Sequence, residues 1–232
     1  MEDLKIDLRK GDCLEIMDEL IREGVRFNCT ATDIPYGEVS KNGIDRAKYK
    51  GQLRNIDKGN ADIINFDLGK FLDKVSTLTE GGIYIFCGIE QIGIIYSYFD
   101  THKDFMVRQC AWRKTNPSPT NGQHLWLSSF ENCIFAKRRK TKFNQSCKSS
   151  VWDFPVGRKK FGHPTEKPEK LFEYIIESSS DKGDYIFDPC MGSGTTISVA
   201  KRLGRNAVGI EMDDKYFEIA KNRIENTEEN NE

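Results

Sequence analysis

Hydrophobic residues in this chain recur with two alternating periods. Leu4, Ile6 and Leu8 alternate with charged residues in the period of a strand, which ends at Gly11-Asp12-Cys13. Leu14, Ile16, Met17, Leu20 and Ile21 follow at helical spacing as far as Gly24. Phe27 to Thr32 reads as the next strand, closed by Asp33-Ile34-Pro35-Tyr36-Gly37. Asp67 to Leu78 is helix-like, Gly82 to Gly88 is a buried strand, and Ile92 to Phe99 opens another helix. Phe105 to Arg113 and Phe130 to Arg138 are two more strands. Asp184-Tyr185-Ile186 begins a short buried strand, Ile197 to Leu203 has helical spacing, and Asn206 to Glu211 is a last strand. Alternating strands and helices predict a doubly wound α/β domain with a mostly parallel sheet. Strands near 184–188, 206–211, 4–9, 27–33 and 82–88 form its parallel part. Those near 105–113 and 130–137 close one edge, with an antiparallel strand among them.

Two turns in this pattern carry chemistry. The first is Asp188-Pro189-Cys190-Met191-Gly192-Ser193-Gly194-Thr195, between a strand and a helix. Open α/β sheets bind ligands at the carboxyl ends of their strands. Glycine lets the backbone approach a ligand and visit φ > 0. Glu211, at the end of the following strand, is placed as a partner for ribose hydroxyls. Asp12 has two readings, a helix cap or a ligand contact from a neighbouring turn. The second turn is Asp33-Ile34-Pro35-Tyr36. Pro35 biases Ile34 to an extended conformation, leaving its carbonyl beside the Asp33 carboxylate. Two acceptors and the Tyr36 ring suit a planar ligand with an exocyclic amine.

Composition narrows the class without naming it. The chain has 232 residues, 38% of them hydrophobic, with 14 Phe, 8 Tyr and 3 Trp, enough for the core of one large domain. Its net charge of −1 gives no sign of a nucleic-acid partner. The longest apolar stretch, Ile83 to Tyr98, is interrupted by Glu90 and Gln91, which excludes a membrane span. Seven cysteines without a Cys-x-x-Cys pair, and no visible signal segment, read as reduced cytosolic thiols. Only His102, His124 and His163 are available as histidine ligands, so no metal site is expected.

At these residues a family resemblance appears. Asp33-Ile34-Pro35-Tyr36 resembles the Asp-Pro-Pro-Tyr motif of the amino-group DNA methyltransferases, with isoleucine where the family has proline. Phe187 to Thr196 resembles their S-adenosylmethionine loop, and His163-Pro164-Thr165-Glu166-Lys167-Pro168 resembles the segment before it. Catalytic motif first and cofactor loop last is the order of the permuted β group. The resemblance runs from about Asp12 to Arg223. It implies a seven-stranded, circularly permuted, Rossmann-like methyltransferase sheet and transfer of a methyl group from S-adenosylmethionine to N6 of adenine in double-stranded DNA. The catalytic set it implies is Asp33, Ile34, Pro35 and Tyr36. The cofactor set is Asp12, Cys13, Thr165, Lys167, Asp188, Pro189, Gly192, Ser193, Gly194, Thr195, Glu211 and Met212. Two alternatives stay open: N4 of cytosine as the substrate amine, and a catalytically degenerate nucleic-acid-binding subunit.

The whole chain, 1–232, is then one methyltransferase domain. A loop at about 37–62, rich in lysine and arginine, would face DNA. A basic segment at about 137–162 would carry target recognition, with Lys137, Arg138, Arg139, Lys140, Arg158, Lys159 and Lys160 as phosphate contacts. Such an enzyme is cytoplasmic, bacterial or phage-encoded, and a cognate restriction endonuclease is a partner the family allows.

Overall fold

The computed structural model describes residues 4–35, 66–119, 122–157 and 166–228. Eight strands occur among them: β1 (Ile6–Lys10), β2 (Phe27–Asp33), β3 (Thr79–Cys87), β4 (Phe105–Lys114), β5 (Phe130–Arg138), β6 (Val151–Phe154), β7 (Tyr185–Asp188) and β8 (Asn206–Glu211). Six helices accompany them: α1 (Cys13–Arg22), α2 (Leu68–Leu78), α3 (Ile92–Thr101), α4 (Glu169–Ser179), α5 (Thr195–Arg202) and α6 (Asp214–Glu225). The strands form one sheet in the order β1-β8-β7-β2-β3-β5-β4-β6. Every pairing is parallel except the two made by β5. The doubly wound, mostly parallel architecture is therefore as expected. The sheet has eight strands among the described residues, against the seven expected.

The additional strand is β6, inside the segment read as basic target recognition. Its four residues pair with Ala111 to Lys114 of β4. Trp152 turns into the core while Val151 and Asp153 face outward. That alternation was hidden because it lasts four residues within a run of lysines and arginines.

Strand alternation divides the core into two layers. Ala31, Tyr84, Phe86, Ile186 and Ala207 face α4, α5 and α6 on one side. Phe27, Ile83, Ile85, Phe187, Val208 and Ile210 face α1, α2 and α3 on the other. Among the described residues no helix is long and apolar enough to cross a membrane.

Sheet order also sorts the basic residues. Because β5 is the reversed strand, its carboxyl end lies at the amino ends of its neighbours: Lys137 pairs with Gly82 and Arg138 with Phe105. Asp33 pairs with Phe86, four residues along β3 from Gly82, a separation of about 13 Å at strand rise. Lys137, Arg138, Arg139 and Lys140 thus lie toward the end of the sheet opposite Asp33, and the expectation that they contact DNA beside the pocket is corrected. Three of them tie loops together. Lys137 donates to the Thr141 carbonyl at 2.5 Å. Arg138 pairs with Asp104 and donates to the Ser76 carbonyl at 2.7 Å. Arg139 donates to the Lys103 carbonyl at 2.8 Å. Arg158, Lys159 and Lys160 lie outside the described residues, as does the 37–62 loop.

Gly209, in the middle of β8, shows how tightly the central layer closes. A Cβ there would stand 2.5 Å from Met191 Sδ and 2.8 Å from Ile197 Cγ1. Glycine lets the turn after β7 lie flat on β8. Gly209→Ala is expected to destabilise the fold by about 1–3 kcal/mol through overpacking. A fall in the thermal midpoint checks this.

Candidate active site at the carboxyl ends of the strands

Strand β7 ends at Asp188, and the six residues from Pro189 to Gly194 turn the chain into α5. Gly192 and Gly194 hold φ of 51° and 76°, the left-handed region where a Cβ is strained. At Gly194 a Cβ would also meet Ala220 Cβ at 3.0 Å. The turn is held by three charged groups from three elements. The Asp188 carboxylate accepts from the Cys190 amide at 3.1 Å and from Thr196 Oγ1 at 2.5 Å. The Glu211 carboxylate accepts from the Gly192 amide at 2.9 Å with one oxygen and from the Asp213 amide at 2.8 Å with the other. Arg223, from α6, donates to the Ser193 carbonyl at 3.3 Å and to Thr195 Oγ1 at 2.9 Å. Its guanidinium also reaches Glu169 at 2.7 Å and Glu166 at 3.3 Å. Glu166, the first described residue after the His-Pro-Thr motif, is tied through Arg223 to the glycine turn.

Burial sets the charges here. Asp188 is 3% exposed, and burial pushes its carboxyl up to about 6. Burial also raises Glu211, against three backbone amides that favour its ionised form. Cys13 and Cys190 face each other. The Cys13 thiol as hydrogen-bond partner, together with burial, raises the Cys190 thiol well above the ordinary range.

The second turn lies one strand away. Thr30 of β2 pairs with Phe187 of β7, so Asp33 emerges beside the glycine turn on a neighbouring strand, roughly 5 Å across. The Ile34 amide donates to the Phe86 carbonyl at 3.2 Å, extending the β2–β3 ladder past Asp33. The Pro35 carbonyl accepts from Gln91 Nε2 at 2.9 Å, and Gln91 Oε1 accepts from the Gly88 amide at 2.9 Å. Asp33 forms an ion pair with Lys167. Lys167 Nζ also lies 3.1 Å from Glu131 Oε2, and Glu131 Oε1 lies 2.8 Å from Lys114 Nζ. The result is a chain of alternating charges, Asp33–Lys167–Glu131–Lys114. Burial alone would lower the Lys167 ammonium, but the Asp33 and Glu131 carboxylates overcome it and hold it raised. Burial likewise works to raise Glu131, and the two lysines draw it below the usual range.

The structure brings together most of the expected site. Gly192, Ser193, Gly194, Thr195, Pro189, Asp188 and Glu211 form one turn and its support, with half-exposed Met212 beside it. Asp12 serves as the cap of α1, its Oδ1 accepting from the Leu14 and Glu15 amides. Lys167 stands against Asp33 and Glu131. Tyr36 and Thr165 lie outside the described residues. Glu131, Gln91 and Arg223 were not foreseen. Glu131 carried one available signal, an acid just ahead of the apolar run Cys133 to Ala136.

The DNA methylase family matches residues 27–222. The type II methyltransferase M2.DpnII of Streptococcus pneumoniae is 32% identical over 86% of this chain and 82% of its own length. The type II methyltransferase M.HinfI of Haemophilus influenzae is 30% identical over 93% of this chain and 67% of its own. Among solved structures, the complex of M1.HpyAVI with SAM superposes with a TM-score of 0.73 at 28% identity, covering 94% of this chain and 98% of that one. The cytosine-N4-specific PvuII DNA methyltransferase shares the fold, with a TM-score of 0.70 at 16% identity over 98% and 88% of the two chains.

Two outcomes test the geometry. Asp188 titrates near 6 folded and near 3.8 unfolded, so between these values the folded state binds more protons and stability falls as pH rises. Asp188→Asn removes that slope. Its stability relative to the parent should improve by up to about 3 kcal/mol from pH 3.8 to pH 6 and level off above, as read by denaturant melts across pH. Ile34→Pro deletes a ladder donor and should cost about 1 kcal/mol, measured in the same way.

Proposed function

The chain belongs to the DNA methylase family, and on that premise we propose that it methylates N6 of adenine in duplex DNA. It is a DNA methyltransferase that takes its methyl group from S-adenosylmethionine. The glycine turn fits that cofactor: left-handed Gly192 is partly exposed at the carboxyl end of the sheet, and Glu211 stands beside it at the end of β8. Gly192, Ser193, Gly194 and Thr195 would hold the methionine moiety, and Glu211 the ribose. The cofactor supplies a methyl carbon on a positively charged sulfur.

Asp33 accepts a hydrogen bond from the target amine, and the Ile34 carbonyl accepts a second. An aromatic amine shares its lone pair with the ring, and two acceptors on its hydrogens localise that pair toward the methyl. Methyl transfer would form the nitrogen–carbon bond as the sulfur–carbon bond breaks, and Asp33 or solvent would take the surplus proton. Much of the rate comes from positioning and fixed electrostatics. Lys167 pairs with the Asp33 carboxylate and orients it. Because Lys167 is shared with Glu131, it neutralises Asp33 only in part. Tyr36 stacks on the extrahelical base. Aspartate at position 33 favours adenine over cytosine, since the cytosine enzymes that this chain resembles more often carry serine there. The curated relatives are bacterial type II methyltransferases, which supports action on cytoplasmic DNA, with a restriction endonuclease as counterpart.

The observation that carries this reading is Asp33, ion-paired with a buried lysine one strand from the glycine turn. Asp33→Ala should reduce methyl transfer by at least 10³-fold, an estimate of about 4 kcal/mol of transition-state stabilisation, while cofactor affinity by calorimetry is kept. The assay is tritium transfer from labelled cofactor to duplex DNA, with modified-base sequencing to identify the base. Full activity in Asp33→Ala overturns the assignment.

A further inference from the structure

The loop joining β4 to β5 leaves the sheet at the same end as Asp33. Its base is closed by the Lys114 amide donating to the Ser129 carbonyl at 2.7 Å. Arg113 and Phe130 form the last pair. Within the loop stand Leu125, 71% exposed, and Trp126, 100% exposed. Leu127, 39% exposed, lies against the turn at Gly122, where a Cβ would stand 2.8 Å from Leu127 Cδ2. The Gly122 amide donates to the Pro119 carbonyl at 3.0 Å. The loop is exposed from Gly122 to Ser128, and its Trp126 presents an indole with no protein cover. Trp112 and Trp152, the other two tryptophans, are buried.

Trp126 is five residues from Glu131, at most about 17 Å along the chain. Glu131 shares Lys167 with Asp33. A duplex seated over Asp33, about 20 Å across, thus lies within reach of the indole. A base brought to Asp33 leaves a gap in the stack, and a flat apolar ring is the chemistry that fills one.

We infer that Trp126 is a wedge that enters the DNA stack and occupies the space vacated by the target base. This rests on the reading of the chain as a DNA methyltransferase. Trp126 is a positioning residue: it lowers the cost of extruding the base and takes no part in methyl transfer.

The test uses the whole protein and a duplex oligonucleotide carrying its site, mapped by modified-base sequencing. With Trp112 and Trp152 buried, acrylamide quenching of the free protein reports Trp126. Saturating duplex plus S-adenosylhomocysteine should lower the quenching constant several-fold. Trp126→Ala should reduce kcat/KM on the paired duplex about 10-fold, in line with the loss of one stacking platform. It should stay within about 2-fold of the parent on a duplex whose target adenine is mispaired, where extrusion is already cheap. Trp126→Phe should restore most of the activity. The wedge is overturned by unchanged quenching in the complex, by wild-type rates of Trp126→Ala on the paired duplex, or by equal losses on both duplexes. A parent protein that methylates neither duplex overturns the methyltransferase reading itself, and the wedge with it.

Discussion

One buried ammonium joins the catalytic turn to the rest of the sheet. Lys167 is 7% exposed and meets carboxylates from β2 and β5. A cation in that position needs carboxylate partners, and removing both would leave an uncompensated buried charge. The chain before α4, the end of β2 and the start of β5 are therefore held in one arrangement by charge. The aromatic face of Phe86, 5.5 Å below the ammonium, adds a weak attraction. Apolar packing could bring these strands together but could not fix the Asp33 carboxylate in direction.

The glycine turn is organised by the same means with the signs reversed. Two carboxylates, Asp188 and Glu211, accept backbone amides of the turn, and Arg223 holds its carbonyl side. Two halves of the site, drawn from opposite ends of the sequence, become neighbours because β7 lies between β8 and β2. The amide, carboxylate and guanidinium contacts then hold the backbone in the left-handed conformations that glycine permits.

Much of this was legible in the sequence, and the failures have particular causes. Strands β3, β7 and β8 were clear because each buries both faces between helices and so reads as a short, nearly continuous apolar run. The glycine turn and Asp33 were legible because their chemistry needs short contiguous motifs. Lys167 was legible as a site residue but not in its place: its partners come from positions 33 and 131, and no local pattern encodes a pairing across the sheet. The basic run from Lys137 to Lys140 misled because composition carries no direction. Only the reversal of β5 shows that these charges lie at the far end. Ile34 was legible as a departure from the resembling motif, while the ladder bond of its amide was visible only in register.

The position of β1 has a consequence for how the molecule comes into being. β1 is an edge strand whose one neighbour is β8, about two hundred residues later in the chain. During synthesis, residues 6–10 therefore emerge about two hundred residues ahead of their partner. The β2–β3–β5–β4 sheet can assemble early from local pairings, whereas closing the β1–β8 edge carries the loop entropy of nearly the whole chain. β2 and β3 can thus pair before β7 and β8, which carry the cofactor turn and its support, have been made. The turn that Glu211 secures can close only once both strands have emerged.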